Sequence, residues 1–108
     1  MRDNAPPIAE CADLDEVRSN IDRLDREIVR RLAERGKYVV QAARFKKAEA
    51  DVHAPARVEQ VVANVRRLAS EFGASPDVME RGYRTLIAGF TDAELAAHRL
   101  RNNSRQEN

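Results

Sequence analysis

Arg35 and Lys46 lie eleven residues apart. On a helix, eleven steps return to within about 20° of the starting direction, so both side chains would leave one face. Val39 and Ala42 fall between them on that face and are small. Two cations over a floor of small residues form a slot for a compact dianion, with Cα atoms about 16 Å apart. The same spacing suits two ordinary basic residues on a solvated face, and spacing alone does not choose. Glu94 is the third residue of interest. It continues the step Tyr83, Ile87, Phe90 along an apolar stripe that also holds Met79, Leu86 and Ala97. A carboxyl on such a stripe must be paired or neutral, because an unpaired buried charge is expensive. As the acid it could donate a hydrogen bond to a ligand oxygen. As the anion it would be half of a salt bridge to an arginine of another helix.

Arg18 and Arg57 are less distinctive, and each reads by default as a solvated arginine. Arg18 is about 100° around its helix from Arg35, so it cannot serve the same pocket within one chain. In an antiparallel helix pair it could serve the pocket of a second chain. Arg57 falls in the first turn of the helix that follows. His53 and His98 are isolated, and no His/Cys/Asp cluster has metal-ligand spacing, so no metal is expected. Neither a glycine-rich phosphate loop nor a nucleophile elbow is present. Arg99, Arg101 and Arg105 form a short basic cluster without interleaved aromatics, weak support for nucleic-acid binding.

These residues need long helices to position them. From Leu14 to Lys47 there is no proline and a single glycine, Gly36. Leu14, Val17, Ile21, Leu24 and Ile28 recur at alternating three- and four-residue steps, which is one helical stripe. Asp13 is placed as N-cap, with Glu16 three residues on. A helix over 14–47 would be about 50 Å long, whereas a globule of this chain length has a radius of gyration near 13 Å. It must bend back at Gly36 or lie along a partner chain, and the partner is the expected answer. The pattern is lost over 48–54. Pro55 then opens a second helix over about 55–72, with Val58, Val61, Val62, Val65, Leu68, Ala69 and Phe72 inward and Gly73 as its left-handed stop. Ser75-Pro76-Asp77 opens a third over about 76–100. The expected fold is all-α: one very long helix and two shorter ones in an intertwined homodimer. Its domain covers 13–101, between a flexible N-terminal arm over 1–12 and a flexible polar tail over 102–108.

Composition agrees with this. Charged residues make up 34% of the 108, aromatics 5%, and tryptophan is absent, the mixture of a helical domain with a modest core. The 19 basic and 18 acidic residues nearly cancel, which disfavours a nucleic-acid partner. Cys11 is the lone cysteine and fits a reducing cytoplasm. The opening MRDNAPPIAECAD has no apolar run, so neither a signal peptide nor a membrane anchor is expected.

Taken together, VRSNIDRLDREIVRRLAER, YVVQAARFK, APARV and a polar residue at 94 resemble the all-helical chorismate mutase family, over roughly residues 11–101. The likeness is closest to its isochorismate pyruvate lyase branch. The resemblance implies an intertwined homodimer with shared active sites. It makes Arg18 the arginine donated across the dimer and Arg35 the grip on a substrate carboxylate. It places Lys46 on the ether oxygen and a carboxylate, and Arg57 near the other end of the substrate. Glu94 would be the second group on the ether oxygen, so Lys46 and Glu94 are the expected catalytic pair. Val39, Ala42, Val58 and Phe90 are the expected pocket lining.

The implied reaction is chorismate to prephenate, without cofactor. The alternative is cleavage of isochorismate to salicylate and pyruvate, and a further option is an amino analogue of chorismate. Val58 replaces an acid found in many bacterial mutases and points to the lyase branch. Glu94, where the lyase has glutamine, points back to a mutase. A helical dimerisation or adaptor module is the non-enzyme alternative. It suits the first helix equally well but does not call for Glu94 on an apolar stripe.

Overall fold

The computed structural model describes residues 8–107, with side chains through residue 104. Residues 1–7 of the expected arm, and residue 108, lie outside the described residues. Helix α1 spans Leu14–Ala42, and a 3-10 turn follows at Ala43–Phe45. Then come α2 (Glu49–His53), α3 (Pro55–Glu71) and α4 (Pro76–Glu107). Among the described residues there is no strand.

The predicted helix starts are observed. The Asp13 carboxylate accepts from the Glu16 N–H at 2.8 Å, and the Glu16 carboxylate reaches back to the Ala12 N–H at 3.1 Å. Together they satisfy two donors that a helix start leaves open. Pro55 takes the first turn of α3. Gly73 ends that helix at φ 76°, a left-handed conformation that costs glycine little. Ser75 Oγ accepts from the Val78 N–H at 3.3 Å and opens α4.

Three boundaries differ from expectation. Helix α1 stops at Ala42, not Lys47, and Lys46 is extended at φ −108°, ψ 129°. The 48–54 stretch is not bare loop: α2 forms there, with the Asp51 carboxylate accepting from the Ala48 N–H at 3.2 Å. Helix α4 continues to Glu107, well past 100. Phe72, assigned to the inward face of its helix, is an exposed cap residue instead.

The core is small and lies between α3 and α4. Val62, Val65 and Ala69 of α3 and Leu95 of α4 are buried, joined by Val52 of α2 and Ala43 of the 3-10 turn. Arg84 grips Glu59 with two 2.9 Å hydrogen bonds, tying α4 to α3 and holding the Glu59 carboxyl below the usual carboxylate range. Arg66 also ties α3 to α4, bridging to Asp77 at 2.9 Å and Glu80 at 3.0 Å. These bridges are solvated and fix alignment more than they stabilise.

Helix α1 does not fold back at Gly36. It runs straight through, and none of its residues is buried. Its stripe from Leu14 to Ile28 faces open space, each apolar member 39–58% exposed. The chain measures 63 × 30 × 18 Å with a radius of gyration of 18.1 Å, far above the ~13 Å of a globule this size. An apolar row of this length left in water is the mark of a face built to be covered.

Gly36 is not the bend that was the alternative to a partner chain; it is a close contact between helices. A Cβ there would come within 2.8 Å of Phe90 Cε1, so the missing side chain lets α1 and α4 close up. Gly36→Ala gains about 1 kcal/mol of helix propensity and loses about 1–3 kcal/mol to overpacking. Its thermal midpoint should therefore fail to rise, or fall. Gly82→Ala, where a Cβ meets nothing within 4 Å, should raise the midpoint in the same thermal unfolding experiment. Equal gains in both would show that the Gly36 contact does not matter.

Candidate active site

A cavity of about 350 Å³ opens between the C-terminal half of α1, the 43–54 segment, the start of α3 and the middle of α4. That is enough room for a small organic acid. Arg35, Lys46, Arg57 and Glu94 all line it, over Val39, Ala42, Val58 and Phe90. Eight of the nine residues singled out from sequence thus share one cavity. The ninth, Arg18, does not line it.

The geometry that unites Arg35 and Lys46 is not the one expected. With α1 ending at Ala42, the two are not on one helical face. Lys46 instead leaves the extended strand-like step after the 3-10 turn and points its ammonium at Glu94, Nζ to Oε2 2.7 Å. Glu94 is on the apolar stripe of α4 as expected, and 3% exposed. Its partner is a lysine from the 43–54 segment, not an arginine of another helix.

The pair is close, but the angle of approach does not make a hydrogen bond, so Oε2 is buried with no directional partner among the described residues. Distance carries the charge attraction here, and direction is what is missing. Oε2 is thus charge-paired with Lys46, on a carboxyl that lines the cavity.

Arg35 has a different environment. Its guanidinium sits 5.5 Å from the ring centroids of both Tyr83 and Phe90. Two aromatic faces attract the cation and restrain its plane, and among the described residues no carboxylate pairs with it. It is therefore held in place with its fork free for an incoming carboxylate. Arg57 is more loosely placed, donating to the Gln60 amide oxygen at 2.6 Å. Ala54, at the cavity edge, adopts a left-handed φ of 34°, a strained conformation for a residue with a Cβ.

Sequence reasoning missed the cradle that Tyr83 and Phe90 make for Arg35. Tyr83 was visible only as a stripe residue, and Phe90 as stripe and pocket lining. It also missed Val52 of α2, buried beside the cavity, because the 48–54 stretch is too short to show a period.

The site thus offers a dianion three cations, a buried carboxyl facing one of them, and a small apolar floor. No cluster of three or more His, Cys, Asp or Glu among the described residues is placed to hold a metal ion. No helix there is long and apolar enough to cross a membrane. The sequence profile of the chorismate mutase type II family matches residues 17–95. An isochorismate pyruvate lyase of Pseudomonas aeruginosa is 37% identical over 78 residues, which is 72% of this chain and 77% of that protein.

Proposed function

The chain belongs to the chorismate mutase type II family, and on that premise we propose that it catalyses a cofactor-free pericyclic reaction of a chorismate-type dicarboxylate. The observation that carries this is the Lys46–Glu94 pair, set with a buried carboxyl against a cavity that Arg35 and Arg57 also line. A structural ion pair has no need of an adjoining cavity lined by two more cations.

The reaction needs no nucleophile. A flexible dicarboxylate must be folded into a compact shape, and its ether C–O bond must then lengthen. Arg35 grips one carboxylate. Arg18, from a second chain lying along α1, supplies the counter-charge that this cavity lacks, and Arg57 meets the far end. Holding the reactive shape supplies several kcal/mol, up to about 7–11 in ideal cases. As negative charge develops on the ether oxygen, Lys46 donates to it from one side, and Glu94, ion-paired in the free site and taking up a proton together with the dianionic substrate, donates from the other. Each well-placed donor contributes about 3–4 kcal/mol. The total reaches the roughly 8 kcal/mol of a modest enzyme.

The preferred substrate in this reading is isochorismate, cleaved to salicylate and pyruvate. Val58 supports it: the cavity wall is apolar at the start of α3, with no carboxylate there to hold a ring hydroxyl. The likeness to a pyruvate lyase supports it too. The second reading, chorismate to prephenate, is favoured by Glu94, an acid where the lyase branch has an amide.

Binding tests the site. A rigid bicyclic ether carrying two carboxylates resembles the compact reacting shape and should bind far more tightly than an open-chain dicarboxylate ether. Calorimetric titration should show that preference, and Arg35→Ala should abolish it. Equal affinities, or a preference surviving Arg35→Ala, would remove the cavity from the reaction.

The letter at 94 gives a second test. An amide donates without needing a proton, so Glu94→Gln should keep kcat within about tenfold of wild type. A loss of two orders of magnitude or more with the fold intact would mean that Glu94 is not the donor.

A further inference from the structure

His98 is the largest fully buried side chain among the described residues, 2% exposed, and the catalytic chemistry above does not use it. Its Nε2 lies 2.9 Å from the backbone carbonyl oxygen of Lys46. A carbonyl only accepts, so Nε2 carries the proton. Nδ1 then accepts from the Asn102 side-chain amide at 3.4 Å, which completes a neutral, satisfied imidazole. His98 and Glu94 are one turn apart on α4 and project from the same side. One holds the main chain of Lys46, and the other faces its ammonium.

Lys46 has little else to fix it. The 3-10 turn before it is three residues long, and its own N–H makes a 3.3 Å bond back to Ala43. Had α1 continued, the Lys46 carbonyl would have served the helix. It is the buried imidazole that receives it instead. The next tie between this segment and α4 is the Arg99–Glu49 bridge, which is solvated.

We propose that His98 is a positioning residue for Lys46, setting through its Nε2–H bond to the Lys46 carbonyl where the ammonium sits relative to the substrate ether oxygen. The idea rests on the role given to Lys46 above. A small displacement of a positioned donor is costly in rate, because its contribution depends on its aim. Losing one such bond is expected to cost about tenfold in kcat, equivalent to roughly 1.4 kcal/mol.

The experiment compares His98→Leu with His98→Gln, alone and in the Lys46→Ala background. Wild-type turnover is measured first, and its absence would sink the functional reading, not this one. His98→Leu should lower kcat about tenfold with little change in KM. Glutamine can place an amide N–H where Nε2 lies, so His98→Gln should keep most of the rate. With Lys46 already alanine, His98→Leu should cost nothing further, because the two act as one unit. Losses that multiply, or a His98→Leu that unfolds at lower temperature yet keeps its kcat, would overturn the proposal. Imidazole nitrogen NMR of the wild-type protein gives a check independent of turnover and of variant folding. The proton should be on Nε2 and absent from Nδ1. A proton on Nδ1 with Nε2 bare would overturn the proposal.

Discussion

Lys46→Ala should lower turnover by about two to three orders of magnitude, the effect of removing one well-aimed donor from a developing oxyanion. The reason is local. Among the described residues Lys46 Nζ is the one cation paired with Glu94, at the point where the breaking bond gathers charge. The substitution also leaves a buried carboxyl without its counter-charge, a change that can itself be strongly destabilising. The two effects separate in the double variant Lys46→Ala/Glu94→Gln, which removes the orphan charge. Circular dichroism should show a native helical fold in the double variant while turnover stays low. A loss under tenfold with the fold intact would take Lys46 out of the mechanism.

The second large effect concerns Arg18. Arg18→Ala should be close to inactive, although Arg18 does not line the cavity of its own chain. If each site borrows Arg18 from a partner, two dead variants can complement. In a heterodimer of Arg18→Ala with Lys46→Ala, one site takes its Arg18 from the Lys46→Ala chain and its Lys46 from the other. That site is intact, and the other lacks both. Heterodimers isolated with two affinity tags should therefore recover about half the wild-type rate. The apolar row from Leu14 to Ile28 is the surface that makes this assembly reasonable, since none of the described residues covers it. Sedimentation should find a dimer, and Leu24→Glu should weaken it. Heterodimers that form but remain inactive would show that the sites are not shared.

Much of the architecture was written in short-range patterns. The Leu14–Ile28 stripe, Pro55, Gly73 and the Ser75-Pro76 step each act within a turn or two, and each marks an element that exists. The failures lie where tertiary contacts decide. ARFKK contains no helix breaker, so nothing local ends α1 at Ala42. It ends where Ala43 is buried and His98 takes the Lys46 carbonyl, a partner 52 residues away. The polar end of the chain has no period, yet α4 persists and brings Asn102 onto His98.

The candidate site followed the same division. Arg35 and Lys46 were paired through a helical face that does not exist, and they share a cavity because the 43–54 segment curls back over it. Gly36 offered a bend as the alternative to a partner chain, and it is a contact with Phe90 that no local pattern shows. Glu94 was legible for a physical reason that survives: a carboxyl on an apolar stripe needs a partner, and it has one. Arg18 cannot be placed by a single chain at all.

The central claim is that this cavity turns over a chorismate-type dicarboxylate, and product formation tests it most directly. Purified protein, pretreated with a chelator, would be incubated separately with isochorismate and with chorismate, and the products separated by chromatography. The account predicts salicylate and pyruvate in equal amounts from isochorismate, at a rate proportional to enzyme and lost in Lys46→Ala. Prephenate from chorismate alone would move the assignment to the mutase reading. Turnover of neither, by a folded dimer, would contradict the account.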